Sequence, residues 1–317
     1  MIIKELGERK MRKVLVTGGL GFIGFHLCKR LLEEGIEVIA VDKCENPNRK
    51  LVQEEMLLSI GRNANFQSIN KGFGDSLFSS ILKNVDCVFH LAVPAISRSW
   101  DNFGKVIFSH LTETSQLITE CKNKNTQVIY LSSIEVYGPR FGILTEETPL
   151  SPITKLGLLK TAEEALIFQK LENHMRNLCV LRVPTIYGPW QGQESTYHQL
   201  LLTQIRGKMD KVVEDSCRED VIYIKDLIDI LWRAGNKEEV VGVYNVGSGE
   251  KNQWKKGIEL ISPAYLSSLS QPFFSVEVSI KKLKNQLNFS PSTSLQIGLK
   301  EQKEHIEKMM KFKKIYS

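Results

Sequence analysis

The sequence lacks closely spaced cysteines. Its six cysteines are scattered at positions 28, 44, 87, 121, 179 and 217, and no two of them form a Cys-x-x-Cys pair. This spacing supports neither a zinc site nor a redox motif, so we expect no metal. Several of these cysteines lie in apolar runs, and we interpret them as small core residues of a protein in a reducing cytoplasm.

Long apolar runs and a strong net charge are absent as well. No run approaches the roughly 20 apolar residues that a membrane span requires, and the stretch MIIKELGERKMRK has no long apolar region. We therefore expect neither a membrane segment nor a signal peptide. The formal net charge of +6 is too small to indicate nucleic-acid binding. Much of the excess lies between Lys281 and Lys314, which we interpret as a solvated helix face rather than a basic patch for a diphosphate.

What the sequence does contain is an alternation of apolar, β-branched runs with helical patterns. Strands are predicted at Lys13–Thr17, Glu37–Asp42, Asn65–Ile69, Asp86–Leu91, Gln127–Ser132 and Leu178–Val183, and helices at Gly24–Glu34, Val106–Lys122 and Leu156–Glu172. Continuous apolar strands separated by helices predict an α/β fold with a doubly wound parallel sheet.

The pattern changes after about residue 185, where loops rich in Gly, Pro and polar residues surround short elements. We predict a Rossmann-type domain over 1–184, with returning segments near 221–246, and a smaller C-terminal substrate lobe in the rest of 185–317. No internal repeat or low-complexity linker separates the two parts, so we expect the lobes to pack together.

A glycine-rich turn follows the first predicted strand. In VLVTGGLGFIGFHL, Gly18, Gly21 and Gly24 form a G-x-x-G-x-x-G pattern that opens a helix. The glycines allow a tight turn and close approach of a pyrophosphate, and the helix N-terminus offers free N–H groups to the phosphates. Asp42 ends the next strand, where a carboxylate can bind a ribose 2′-hydroxyl and repel a 2′-phosphate. The pattern predicts NAD as the cofactor, and a structural βαβ turn is the alternative.

Further segments along the chain carry recognisable motifs, in addition to this turn. TGGLGFIG, with Phe22 and Ile23, is followed by GDSLFSSIL with Asp75, DCVFHLAVPA with His90, Leu91 and Ala92, YLSSIEVYG, LRVPTIYGPWQ, EDVIYIKDL, VYNVGSGE and NQLNFSPSTSLQIGLK. Together they resemble the extended short-chain dehydrogenase/reductases of the NAD-dependent sugar-nucleotide epimerase/dehydratase family. The resemblance implies that the glycine loop, Asp75, Leu91 and Ala92 bind NAD and that the later segments belong to the substrate lobe.

The resemblance also implies a mechanism. In such enzymes a Tyr, with its pKa lowered by a Lys four residues later, removes a proton from a sugar hydroxyl while hydride passes to NAD. Ser133 matches the family's Ser or Thr that hydrogen-bonds the reacting oxygen, and Lys160 matches the Lys, which also holds the nicotinamide ribose. The alternatives are a strand-end Ser that bonds local backbone and an exposed helical Lys.

One catalytic position departs from the family. The Tyr position holds Leu156, which has no ionisable proton, and general acid–base catalysis typically contributes about 10²–10⁴-fold. The resemblance implies Glu135 as the best replacement candidate, because the family's dehydratases and uronic-acid decarboxylases have a Glu at this position. A Glu with a raised pKa can act as acid or base. The alternative is a buried Glu paired with a basic neighbour. Further polar groups expected near this site are His110, Thr154 and Lys155.

The substrate lobe departs as well. The family often has Asn where this chain has Thr185, and often has Arg where this chain has Glu219. The adjacent Arg218 could bind a diphosphate instead, because a guanidinium suits phosphate bidentately. We therefore expect Ser133, Thr185 and Arg218 to contact the substrate.

The leading hypothesis is an NAD-dependent enzyme of the epimerase, dehydratase or isomerase type. Its expected substrate is a UDP-hexose or UDP-N-acetylhexosamine derivative in deoxy-sugar or glycan-precursor biosynthesis. The alternatives are an NAD-binding pseudoenzyme or sensor without turnover, and a reductase of a non-sugar carbonyl. The resemblance also implies a homodimer through the helices near 106–122 and 156–172, whose apolar residues equally suit packing onto the sheet.

Overall fold

Strands and helices alternate along the part of the chain that the structure, a computed structural model, describes. These residues are 11–43, 47–72, 78–97, 99–208, 212–237, 240–269 and 276–313. The strands are β1 (Lys13–Thr17), β2 (Glu37–Asp42), β3 (Phe66–Asn70), β4 (Cys87–His90), β5 (Gln127–Ser133), β6 (Gly142–Leu144), β7 (Leu178–Val183), β8 (Thr185–Tyr187), β9 (Val221–Tyr223), β10 (Gly242–Asn245) and β11 (Val276–Val278).

The helices follow the same order along the chain. They are α1 (Phe22–Glu33), α2 (Pro47–Ile60), α3 (Phe78–Ile81), α4 (Phe103–Lys124), α5 (Lys155–Lys170), α6 (Thr196–Arg206), α7 (Ile224–Asn236), α8 (Gln253–Ile261), α9 (Pro263–Ser268), α10 (Lys281–Leu287) and α11 (Leu295–Lys313). Short 3₁₀ helices occupy Ile134–Tyr137 and Glu172–Asn177.

Seven strands form one sheet in the order β10-β7-β5-β4-β1-β2-β3. The pairs β2–β3, β1–β2, β1–β4 and β4–β5 are parallel. The chain reaches one edge at β3 and then returns to β4, which lies beside β1. Ligands of doubly wound sheets bind where the strand order reverses in this way. The predicted Rossmann-type α/β fold is confirmed.

The observed ends of the helices differ more from the predicted ends than those of the strands do. The bounds of β1, β2 and β7 are those predicted, because each contains a run of buried apolar residues. Helix α4 is longer than predicted at both ends and stops where Asn125 adopts a left-handed conformation with φ of 54°. An Asn tolerates that conformation, but the apolar periodicity from which we predicted the helix does not report it.

The chain divides into two compact units. Unit 1 comprises the described residues of Met1–Ser132, Leu159–Leu181 and Ile228–Val243. Its core contains buried apolar side chains from β1, β2, β4, β5 and β7 and from α4 and α5. Among them are Leu15, Ile39, Val88, Leu117, Val128, Ile167 and Val180.

Unit 2 comprises the described residues of Ser133–Leu158, Arg182–Leu227 and Tyr244–Ser317. It contains two parallel strand pairs, β6–β11 and β8–β9. A second core cluster includes Val136, Tyr137, Leu144, Cys217 and Val276. Residues 133–158, which the sequence-based division placed with the Rossmann domain, fall in this unit, and the binding roles of the two units stay predictions.

The cysteines of the described residues are buried and carry free thiols at positions 28, 87, 121, 179 and 217. Burial raises the pKa of the Cys121 thiol to about 12, so this side chain behaves as an apolar core residue. Within the described ranges, no helix has both the length and the apolar character required to cross a membrane.

Candidate active site

The glycine turn forms a close-packed cradle in unit 1. Gly18 has a φ of +69°, and its N–H donates to the carbonyl of Val41 at 2.8 Å. A Cβ on Gly18 would lie 3.0 Å from the Cα of Ala92, and a Cβ on Gly24 would lie 2.0 Å from the carbonyl oxygen of Gly18. Real Cβ atoms do not approach an oxygen as closely as 2.0 Å, so position 24 requires glycine. At position 18 the positive φ, together with the tight contact, favours glycine.

The start of α1 suits an anion. The helix begins at Phe22 after Gly21, and its first turn, which contains Ile23, carries no acidic residue. Its first N–H groups and the positive end of its dipole therefore favour a phosphate. Asp42 accepts from the N–H of Leu20 at 2.9 Å, and burial raises the pKa of its carboxyl despite that bond. These residues fit the dinucleotide that the sequence predicts, whereas Asp75 lies outside the described residues.

Thr17 joins the ends of β1 and β4. Its Oγ1 accepts from the backbone N–H groups of Leu91 and Ala92, each at 3.2 Å, and lies 2.7 Å from Nδ1 of His90. These bonds fix the end of β4 against the glycine turn. Sequence reasoning missed Thr17, although a hydroxyl residue at the last position of β1 was a usable signal.

Lys160 lies inside unit 1 and is only 3% exposed. Its Nζ is 3.1 Å from Oε2 of Glu163 and 4.7 Å from the centre of the Tyr130 ring. The alternative of an exposed helical Lys is therefore wrong. A buried ammonium needs a partner, and Glu163 provides it from the next turn of α5.

Glu163 is the centre of a buried polar network. Its Oε1 accepts from Nε2 of His110 at 2.8 Å and from Oγ1 of Thr114 at 3.3 Å, and its Oε2 accepts from the hydroxyl of Tyr130 at 2.7 Å. Burial alone would raise the pKa of Glu163, but the Lys160 ammonium and the histidine bonds outweigh burial and hold it well below its usual range. The sequence pointed to Lys160, His110 and, at the end of β4, His90, whereas the carboxylate of Glu163 at the centre of the network was missed.

A second polar group lies in unit 2 around Glu135. Its Oε2 accepts from Oγ1 of Thr154 at 2.5 Å and its Oε1 from Oγ of Ser216 at 2.9 Å. Burial raises the pKa of Glu135 although these bonds oppose the shift. The two partners are hydroxyls, unlike the basic neighbour of the alternative interpretation. The Oγ of buried Ser133 accepts from the N–H of Glu135 at 3.1 Å.

Thr154 also caps α5. Its Oγ1 accepts from the N–H of Gly157 at 3.0 Å, which is the usual bond of an N-cap residue. A Cβ on Gly157 would lie 2.5 Å from the carbonyl oxygen of Glu135, so the helix start packs directly on the Glu135 backbone. Leu156 is half-buried in this first turn and precedes Lys160 by one turn of the helix.

The two remaining predicted substrate residues already have partners. The hydroxyl of Thr185 donates to the carbonyl of Cys217 at 2.7 Å. Nη1 of Arg218 donates to Glu214 at 2.6 Å, and the pair is partly exposed to solvent. A diphosphate would therefore compete with Glu214 for this guanidinium.

Comparison with known proteins now identifies the family. A model of the NAD dependent epimerase/dehydratase family matches residues 14–247, which include the glycine cradle, Ser133, Lys160 and Arg218. The chain belongs to this family. It is therefore an NAD-dependent enzyme of the epimerase/dehydratase type with a Rossmann-type domain, and the resemblance found in the sequence is confirmed.

Similar proteins support the assignment over most of the chain. The UDP-glucose epimerase YtcB of Bacillus subtilis, itself uncharacterized, is 28% identical over 301 residues and is covered to 95%, with 90% of this chain aligned. UDP-arabinose 4-epimerase 1 of Arabidopsis thaliana is 27% identical, with 89% of this chain and 76% of that protein covered.

Solved structures agree with these relatives. UDP-glucuronic acid 4-epimerase from Bacillus cereus, crystallised with NAD, superposes with a TM-score of 0.82 at 28% identity and covers 94% of this chain and 98% of its own. The same enzyme with UDP-glucuronic acid and NAD gives a TM-score of 0.82 at 27% identity, with 94% of this chain and 99% of that chain covered.

Proposed function

We propose that this family member modifies a nucleotide sugar, specifically a UDP-hexose or UDP-N-acetylhexosamine derivative, in deoxy-sugar or glycan-precursor biosynthesis. The relatives named for UDP-sugars support the substrate class. The observation that carries the proposed chemistry is the carboxyl of Glu135, two residues after Ser133. Its pKa is raised, and it is held between two hydroxyls. A carboxyl with a raised pKa is better suited to act as an acid or base than an ordinary Glu side chain.

Each predicted catalytic residue has a role that its contacts allow. NAD, when bound, supplies the hydride acceptor and donor. Ser133 uses an oxygen lone pair for the Glu135 N–H, so its hydroxyl hydrogen can be donated to a reacting oxygen. Glu135 gives or takes the proton, because burial places its pKa closer to neutrality. Lys160 contributes a fixed ammonium for a ribose hydroxyl of the cofactor.

Leu156 restricts the types of reaction that we propose for this site. A side chain without a proton at this position removes the usual acid–base group for oxidation of a sugar hydroxyl. A substrate that a preceding enzyme has already oxidised or unsaturated does not require that step. We therefore place the reaction at C5, next to a carbonyl at C4, with Glu135 as the acid or base.

We further propose a cytoplasmic homodimer. In α4, Phe108 is 75% exposed, and Val106, Ile107 and Leu111 are half-exposed. Leu117 and Ile118 of the same helix are buried in the unit 1 core. The N-terminal half of α4 thus keeps an apolar surface that packing within unit 1 does not cover, as a protein–protein contact requires.

Turnover assays test the proposed function directly. Purified protein with NAD is incubated with native, 4-keto and 5,6-ene UDP-sugars, and products are identified by mass spectrometry and NMR. We expect conversion of at least one 4-keto or 5,6-ene substrate and a loss of at least about tenfold in E135Q, since general acid–base catalysis typically contributes 10²–10⁴-fold. The exposed Glu147 of the same unit gives the control E147Q, which should retain activity.

Three results would contradict the proposal in different ways. Failure to convert any sugar of the panel, with NAD still bound, would favour the pseudoenzyme. Failure of UDP to bind in calorimetric titration would favour a reductase of a non-sugar carbonyl. Equal activity of E135Q and the parent would remove Glu135 from the mechanism.

A further inference from the structure

The contact between Lys160 and Glu163 carries an inference about how this chain works without an acid at position 156. Both side chains belong to unit 1, both are buried, and Nζ lies 3.1 Å from Oε2. They are three residues apart in α5, so the ion pair forms within one helix turn. Its geometry is thus set by the helix itself.

The rest of the network fixes the carboxylate of Glu163. His110, Thr114 and Tyr130 donate to its two oxygens, and these donors come from α4 and β5. His90 Nε2 lies 3.5 Å from Oε1, and burial lowers the pKa of this imidazole, which favours its neutral form. The carboxylate and the Lys160 ammonium are therefore the two opposite charges at the centre of the network.

The histidines and the carboxylate also have the composition of a metal site. One ligand atom from each of His90, His110 and Glu163 lies within 4.8 Å of the others. However, the Lys160 ammonium sits 3.1 Å from the same carboxylate and would repel a divalent cation. The Tyr130 hydroxyl and the His110 ring already bond the two oxygens, so the cluster is explained as a hydrogen-bonded ion pair.

An ammonium whose charge is balanced by a bonded carboxylate, here called a compensated ion pair, has a weaker electrostatic effect on nearby groups than a free ammonium. A lone ammonium stabilises a nearby anion and lowers the pKa of an acid beside it. When a carboxylate lies within hydrogen-bond distance of that ammonium, the two fields largely cancel, and a third group feels little net charge. Position 156 is one helix turn from Lys160, where side chains are about 5–6 Å apart at Cβ.

We propose that Glu163 is a positioning residue that holds Lys160 as a compensated ion pair, so that Lys160 binds through its N–H donors without supplying the charge that would ionise an acid at position 156. Leu156 suits this arrangement, because it needs no activation. The inference concerns the electrostatics of α5 and goes beyond the proposed substrate and reaction.

A phenol placed at position 156 reports this electrostatic state without any turnover. The phenol of L156Y is titrated in NAD-saturated protein by ultraviolet difference spectroscopy against the parent, which removes the signal of the native tyrosines. With Glu163 present we expect a phenol pKa above about 9, close to the unperturbed value of about 10. In L156Y/E163Q the ammonium loses its partner, and we expect the phenol pKa to fall by at least about one unit.

The neighbouring Glu164 supplies the matched control. It is also buried in α5, but its Oε1 accepts from Ser132 at 2.5 Å. L156Y/E164Q should therefore titrate like L156Y. Equal phenol pKa values in L156Y and L156Y/E163Q would overturn the proposal, as would an equal fall in both double variants.

L156Y tests the proposal by itself where E163Q does not fold. It keeps the whole network, so a phenol pKa below about 9 in this variant would already show an uncompensated Lys160. Because the readout needs only folded, NAD-bound protein, it is independent of whether the proposed UDP-sugar is converted. Failure of the substrate assays and failure of this proposal are thus distinguishable.

Discussion

Unit 2 contains a buried carboxyl group, that of Asp220. Asp220 is 2% exposed, and its oxygens accept from the N–H and the hydroxyl of Ser248 at 2.7 and 2.6 Å. Burial nevertheless raises the pKa of Asp220 to about 7. The folded state thus favours the protonated carboxyl more strongly than the unfolded chain does.

Asp220 should make the stability of the protein depend on pH. Between its unfolded pKa near 3.8 and its folded pKa of about 7, the folded state binds more protons, so stability falls as pH rises through this range. D220N cannot ionise, and its free energy of unfolding should therefore improve relative to the parent from pH 4 to pH 7. Urea titrations across this range measure the difference. A constant difference between the two proteins would contradict the expectation.

The sequence identified residues that belong to local motifs and missed those that act across the fold. Asp42 follows from its position at the end of a strand, whereas Ser133 and Lys160 follow from the resemblance to the family's motifs. Ser216 bonds Glu135 across 81 positions of sequence, and no local pattern announces that contact. Glu163 was not singled out from the sequence, because its burial depends on contacts with α4 and β5.

At the scale of elements, strands were easier to predict than helix starts. A buried parallel strand is encoded by its own apolar run, as in β1 and β7. The start of α5 depends instead on the hydroxyl of Thr154, which bonds both Gly157 and Glu135. The packing of α1 on the glycine turn depends on Gly24, and this contact was predictable because the motif prescribes it.

The G24A variant tests the contact between α1 and the turn. Its Cβ would lie 2.0 Å from the Gly18 carbonyl oxygen, so the helix must move away and the phosphate cradle must widen. We expect NAD affinity to fall by at least about tenfold, or about 1.4 kcal/mol, in calorimetric titration. Gly104 in α4 has open space at its Cβ position, so G104A should bind NAD like the parent. Unchanged affinity in G24A would remove the cradle from cofactor binding.

At the scale of the whole molecule, each unit is assembled from separated parts of the sequence. Unit 1 takes in Ile228–Val243, inside the stretch where the sequence pattern placed a return. The pattern did not foresee that 133–158 would group with the later segments, because apolar periodicity reports burial but not the partner that provides it. The same limitation left the apolar residues of α4 ambiguous between core and interface.

The proposed homodimer can be tested at Phe108. F108E places a charge on the exposed apolar half of α4, and burial of an unpaired carboxylate in an interface is unfavourable. We expect the parent to have the mass of a dimer in light scattering and F108E to shift towards the monomer. S109E changes the adjacent exposed position and is the control. A monomeric parent, or a dimer unaffected by F108E, would contradict the proposal.

The hydrogen bonds around Thr17 orient a row of buried polar groups in unit 1. Because Oγ1 of Thr17 accepts from two backbone amides, its hydrogen is directed to Nδ1 of His90, which places the ring hydrogen on Nε2. That hydrogen points to Oγ1 of Thr114, whose own hydrogen points to Glu163. Every donor in this row of hydrogen bonds, from Thr17 to Glu163, is thus oriented towards the carboxylate. A proton can enter this row at Thr17 only if a hydrogen bond from the Leu91 or Ala92 N–H group breaks, so the row does not conduct protons from that end.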